Sequence, residues 1–481
     1  MRIEELSART SKEDGTYSGT EETLLYRGGF IRSCENGIIY TSLGTMLLER
    51  IKDIISGEIE KNGAKRISVP GCFGISGIRE SMTDYLNSDV RSYRDLPSGI
   101  FSISDVHFGH RATDSMWSSP SYPVLAFAFA DSSETTVFNA VDDCLGSLGL
   151  EGMRHEGVIA YENEGLRAEL VCIESPKASM PYSGSAGRNE TVKTPDVRTI
   201  ANLKEFFACS GKEILKTVLL SYGDIHVAVV VPGDAEVDIE KVSSYLDITD
   251  SSLKPMPEAD ICRLTAAEPG FSGPVGLKDV RILVHQGVIR GKGYIAGANR
   301  TGYHLLNVVP GRDFTGEQGD FARSGKYVKG YVIGRVRVLR ENMRTSGEDG
   351  RPYYSPVLFG YINLHRLILS LASESSDDKG VNLPDRVAPF EAAVIPSDAR
   401  NEELVKKSID LHDKLEAGHF RVLLDLRNQR LGSKLFDCDL MSVRHRVIVG
   451  DRLGEGFFEY KSRSGEITPV NFDELVEMLR L

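Results

Sequence analysis

The stretch "VAPFEAAVIPSDARNEELVKKSIDLHDKLEAGHFRVLLDLRNQRLG", Val387–Gly432, changes its hydrophobic period twice. EAAVIP is a short apolar run of strand length that ends at a proline. Asn401–Ala417 reads as a helix, and RVLLDL returns to a strand. HRVIVGD, His445–Asp451, supplies a further strand. Strand and helix alternating in this way predict a C-terminal α/β domain of about 95 residues.

The chain upstream divides in a similar manner. TIANLKEFFACSG, from Thr199, predicts a helix, and KTVLLSYG and IHVAVVVPGD, from Lys216 and Ile225, predict two strands. Before them, Ser175–Asp196 is rich in Ser, Pro and Gly and reads as a loop or linker. Near the N-terminus, Leu43–Lys65 places Leu47, Leu48, Ile51, Ile54, Ile55 and Ile59 at helical spacing. RISVPG follows as a strand stopped by Pro70, and YPVLAFAFADSS, from Tyr122, reads as a buried strand. No internal repeat interrupts the pattern.

Composition narrows the function classes. The chain has 481 residues, 41% hydrophobic and 26% charged, which suits a soluble globular protein of roughly three domains. No apolar run approaches the ~18 residues of a membrane span, so no membrane partner is expected. The polar N-terminus has no signal-peptide core, which points to the cytoplasm. The cysteines are scattered without a CxxC pair, as expected for reduced thiols rather than a zinc site. A net charge of −12 argues against DNA as a partner, but a local basic patch could still hold RNA.

"ISDVHFGH", Ile103–His110, imitates the opening motif of a two-metal phosphoesterase. Such centres need further ligands from other strands, and no Gly-Asn-His occurs in the chain. Asp105, His107 and His110 are too few, so neither a metal nor any other cofactor is expected. The plain reading is a strand running into a loop.

The order of segments resembles the bacterial-type prolyl-tRNA synthetase family across nearly the whole chain. Arg27–Pro70 is similar to that family's first class II motif, and VRSYRDLPSGIFSIS to the stretch before its second. GFSGPVGLKDVRILV and GANRTGYHLLNVVPGRDF resemble its inserted editing domain. RVAPFEAAVIP, LLDLRNQRLGSKLFDCDL and HRVIVG resemble its anticodon-binding domain. The resemblance implies an α+β fold with a class II antiparallel core in two parts, 1–190 and 313–385. Between them would lie an editing-like α/β insertion, 195–312, and after them an anticodon-binding-type α/β domain, 386–481. It also implies tRNA as partner, proline tRNA in that family, and a homodimer. An apolar stripe on the first-motif helix, otherwise partly exposed, argues for the same dimer.

Measured against the family, the adenylation motifs have decayed. His107, Phe108, Gly109 and His110 stand where Phe-Arg-Asp-Glu holds ATP, and Arg111 lies three positions beyond the lost arginine. Gly77, Ile78, Arg79 and Glu80 replace Thr-His-Glu-Glu. In the third motif Arg366 survives as a nucleotide-binding remnant, but Asn363 replaces a glycine beside the adenine site. Losing one pre-placed cation typically costs ~3 kcal/mol of transition-state stabilisation, so losing several should end turnover.

The editing-like region keeps its residues. Lys216, Gly270, Pro274 and His304 fall on the family's editing lysine, Gly-x-x-x-Pro loop and pocket histidine. By resemblance, that site hydrolyses alanine mischarged on proline tRNA. Nine Lys/Arg against six acids between Phe420 and Arg463 make the C-terminal region locally basic. There Arg427, Arg430 and Lys434 match a string that shapes the anticodon turn, and they are the expected tRNA contacts. Three function classes follow: a tRNA-binding hydrolase of mischarged aminoacyl-tRNA, a non-catalytic regulator or scaffold, and a ligase with a rebuilt pocket.

Overall fold

In the computed structural model the described residues are all of 1–481 except 14, 16, 18, 35–36, 108–115, 117–118, 120, 156, 163–168, 175–186, 224, 247, 249–252, 324–325, 340–342, 452–453, 455, 466 and 481. They form two units: Met1–Phe73, Gly77–Tyr161 and Ile333–Leu481 in one, Gly74–Ser76 and Glu162–Val332 in the other. The architecture is α+β, with an antiparallel core sheet, an inserted α/β domain and a C-terminal α/β domain.

The first unit is built on long antiparallel strands. Ser98–His107 pairs with Ser121–Ala130, from Ser98 opposite Ala130 to His107 opposite Ser121. Val357–Asn363 comes next, followed by Gly334–Val338 from the later part of the strand Lys326–Val338. Ser121–Ala130 is buried at nearly every position, which explains its unbroken apolar run: both faces of the sheet are covered. Helix Leu364–Glu374 packs on this sheet, and Asn363 starts it by accepting the Arg366 backbone N–H.

Helix Ser42–Lys61 carries the apolar stripe read from sequence. Leu47, Leu48, Ile51, Ile55 and Ile59 are all buried within the one chain, where the helix packs on Glu134–Leu148. Ile54 alone of the stripe stays partly exposed, so little of it is left for a second copy to cover. Gly74–Asp89 and Glu134–Leu148 are among several helices that the sequence reading did not mark. The strand expected in RISVPG, 66–71, lies instead at Ala64–Arg66 and shares only Arg66 with it.

The C-terminal domain is the alternation that opened the sequence analysis. Val422–Leu424, Ala392–Pro396 and His445–Val449 run parallel, and Phe458–Lys461 and Ile467–Val470 complete the sheet antiparallel. The side chain of Asn401 caps helix Glu402–Ala417 by accepting from the N–H groups of Glu403 and Leu404. Leu404, Leu411 and Leu415 of that helix close over Val394, Val422 and Val447.

The second unit holds a five-stranded mixed sheet in the order Lys254–Pro255, Leu215–Tyr222, Ile225–Pro232, Arg281–His285 and Glu317–Gly319. Its central strand is buried on both faces. Val227, Val229 and Val231 pack with Leu283 and Phe321, while Val230 packs with Leu215, Tyr294 and Val308. A three-stranded antiparallel sheet, Glu190–Lys193, Tyr303–Val308 and Tyr294–Gly297, lies in the same unit.

Candidate functional site

The inserted domain contains a cavity of about 390 Å³. Lys216 reaches it from the strand Leu215–Tyr222, Gly270 from a loop, and His304 from the strand Tyr303–Val308. Three of the four residues singled out in this region thus meet at one place. Pro274 is buried in the same loop as Gly270 but does not line the cavity. Met256, Leu203, Leu219 and Ile261 supply apolar wall, so the space suits a small uncharged group more than a long polar one.

His304 is 1% exposed. Its Nδ1 lies 2.7 Å from the hydroxyl of Thr194, which is fully buried, and its ring centroid is 5.5 Å from that of Phe271. Burial pushes its pKa down to about 4, against a smaller opposing effect of a hydrogen bond with the Gly270 backbone. The ring is therefore neutral at pH 7, and its polar atoms are engaged by Thr194 and Gly270. It is a fixed wall of the cavity rather than a free proton carrier.

The loop geometry explains the glycines. Gly270 has φ +98°, and a Cβ there would stand 2.7 Å from the Arg198 carbonyl oxygen. At Gly273 a Cβ would come within 1.9 Å of the Gly297 carbonyl oxygen, so the backbones touch where no side chain could fit. Asn299 locks this contact. It accepts the Gly273 N–H at 2.8 Å and donates to the carbonyls of Gly273 and Val275 at 3.0 and 2.8 Å. Asn299 and Thr194 were not singled out in the sequence, where each is an ordinary polar residue of a turn.

Lys216 Nζ donates to Glu236 at 2.8 Å, with the lysine side chain 20% and the glutamate 71% exposed. A carboxylate so open to water holds the ammonium weakly. An incoming anion can replace it.

The basic string of the C-terminal domain is used differently. Arg427 forms a two-point contact with Asp425, at 2.9 and 2.7 Å, and reaches Asp437 at 2.8 Å. Burial opposes its charge, but the two carboxylates outweigh that and raise its pKa. Lys434 is 1% exposed and donates to the Asp425 carbonyl at 3.1 Å, and burial lowers its pKa. Arg430 alone of the three is exposed, at the N-terminal end of helix Leu431–Leu440.

The residue expected as a nucleotide-binding remnant is packed inside. Arg366 is 1% exposed in helix Leu364–Glu374. Beside it His365 is buried in apolar surroundings that push its pKa down to about 3. Of the changed residues at 77–80, Ile78 is core and Arg79 pairs with exposed Glu80 at 3.7 Å. Asp105 is exposed, and His107 Nδ1 bonds the Ser121 hydroxyl at 2.8 Å. Phe108, Gly109, His110 and Arg111 lie outside the described residues.

Comparison with known proteins adds three findings. A family model described as an aminoacyl-tRNA editing domain matches residues 194–314, and one described as an anticodon binding domain matches 391–480. The proline--tRNA ligase of Listeria innocua is 27% identical, with 95% of this chain and 94% of that one covered. That of a Thermoanaerobacter species is 25% identical, with 100% and 99% covered. Among solved structures, a prolyl-tRNA synthetase from Cryptosporidium parvum, complexed with L-proline and AMP, aligns with a TM-score of 0.51. It is 13% identical, with 98% of this chain and 77% of that one covered, a likeness of fold alone.

Proposed function

The chain belongs to the prolyl-tRNA synthetase family, and from that premise we propose that it binds tRNA and hydrolyses mischarged aminoacyl-tRNA in its inserted domain. The observation that carries this reading is the convergence of Lys216, Gly270 and His304 on one cavity of the matched domain. The reaction is ester hydrolysis. Water adds to the aminoacyl carbonyl, the bond to the ribose oxygen breaks, and the tRNA hydroxyl leaves with a proton.

Each residue has a physical part. The Lys216 ammonium, released from Glu236, holds the anionic backbone near the tRNA end. In this reading backbone N–H groups of the Gly270 loop polarise the ester carbonyl. Neutral His304, fixed against Thr194 and Phe271, limits the aminoacyl side chain by size.

Adenylation is the weaker reading because the cations expected at the ATP phosphates are replaced in the sequence, and Arg366 is buried. It has one observation in its favour, the full-length similarity to proline--tRNA ligases. A deacylation assay on a panel of mischarged tRNAs, beside proline-dependent pyrophosphate exchange, separates them. Hydrolysis without exchange supports the proposal. Exchange without hydrolysis replaces it with a ligase, and neither activity leaves the scaffold reading. A homodimer rests on the family resemblance alone.

A further inference from the structure

We infer that Arg198 is a second substrate-positioning residue of this cavity, holding a backbone phosphate of the aminoacylated nucleotide end together with Lys216. The inference rests on the proposed reading of the cavity as an aminoacyl-nucleotide site.

Arg198 and Lys216 are the two Lys or Arg residues among the described residues that line the cavity. Their situations match. Arg198 Nη2 lies 2.6 Å from Glu268, with the two side chains 51% and 43% exposed, as Lys216 lies 2.8 Å from exposed Glu236. Solvent-exposed pairs of this kind are weak, so each carboxylate is a replaceable occupant of an anion position. The contrast with Arg427, whose aspartates are buried, shows what a cation committed to structure looks like in the same chain.

The backbone of Arg198 is not free to wander. Its carbonyl oxygen and Cα lie 2.7 and 3.1 Å from where a Gly270 Cβ would stand, so the residue rests on the loop that forms one side of the cavity. Its guanidinium is 5.9 Å from the Phe271 ring centroid, and that ring is in turn 5.5 Å from His304. Phe271, which does not itself line the cavity, thus stands between exposed Arg198 and buried His304, which both do. A neutral aminoacyl ester offers no anion to a guanidinium, whereas the phosphodiester behind it does, and the planar fork suits a phosphate at two points.

The test uses the whole protein and a short single-stranded RNA ending in CCA, with alanine joined to its last ribose by an amide. Affinity is measured against salt concentration. Each phosphate contact to a single strand contributes about 0.7 to the slope of log affinity on log salt, so Arg198→Ala should lower that slope by about 0.7. Arg198→Lys should keep the slope and lose part of the affinity. Glu268→Gln, which removes the competing carboxylate, should bind more tightly than wild type. In hydrolysis, Arg198→Ala should raise KM on the order of tenfold and leave kcat nearly unchanged. An unchanged slope in a folded Arg198→Ala protein, or weaker binding by Glu268→Gln, overturns the inference. Wild type that binds the RNA with an Arg198-dependent slope but hydrolyses no aminoacyl-tRNA sinks the hydrolase reading and leaves this one standing. Wild type that does not bind the RNA sinks both.

Discussion

Arg427→Ala tests whether the cations of the C-terminal string face RNA or face inward. The Asp425 side chain is fully buried and that of Asp437 is 12% exposed, while Arg427 itself is 22% exposed. Removing the guanidinium leaves a buried carboxylate whose remaining contact at that point is the residue 427 backbone N–H, at 3.1 Å. Breaking one side of a buried pair costs ~3–5 kcal/mol, and the partial solvent access of Arg427 places this case near ~3 kcal/mol. In urea unfolding followed by circular dichroism, a loss of that size should move the midpoint down by ~1–2 M. The double variant Arg427→Met with Asp425→Asn, which removes the stranded charge, should recover a large part of the loss. Binding of tRNA per folded molecule should change little. An unaltered midpoint combined with lost tRNA binding would refute the reasoning and return Arg427 to the RNA surface.

Other expectations follow from the inserted domain. Lys216→Ala should abolish deacylation without altering the unfolding midpoint, and His304→Ala should let larger aminoacyl groups be cleaved; wild-type hydrolysis by the lysine variant would count against the site. His304 has a folded pKa of about 4 against ~6.5 when unfolded, so the unfolded chain binds the extra proton between those values. The resulting stability is complete above pH ~6.5 and falls by about 3 kcal/mol as pH drops to 4, a slope that calorimetry should find reduced in His304→Gln. Asn299→Ala removes three hydrogen bonds beside the Gly273–Gly297 contact, and should destabilise the domain by ~2–3 kcal/mol and impair hydrolysis. Metal analysis of purified protein should find no stoichiometric Mn, Fe or Zn that is lost on His107→Ala.

Periodicity revealed the kind of element where a segment was long and clearly patterned. The period change across Glu391–Leu426 gave strand, helix and strand, because side-chain direction along an element is a local property of the backbone. The stripe from Leu47 to Ile59 could likewise be read as a buried helix face, but not that Glu134–Leu148 of the same chain would cover it. What a polar side chain faces depends on residues far away in the chain, and that was settled by tertiary packing. Thr194 and His304 stand 110 positions apart and meet at 2.7 Å, which turns a histidine into a neutral wall. Arg427 was an expected RNA contact and Arg198 was not marked at all, yet both are arginines of the same charge. One is enclosed by carboxylates that the fold has removed from water, and the other shares its partner with solvent. Charge is written in the sequence, but the solvation of its partner is not. That solvation decides whether a cation holds the fold together or stays available to a ligand.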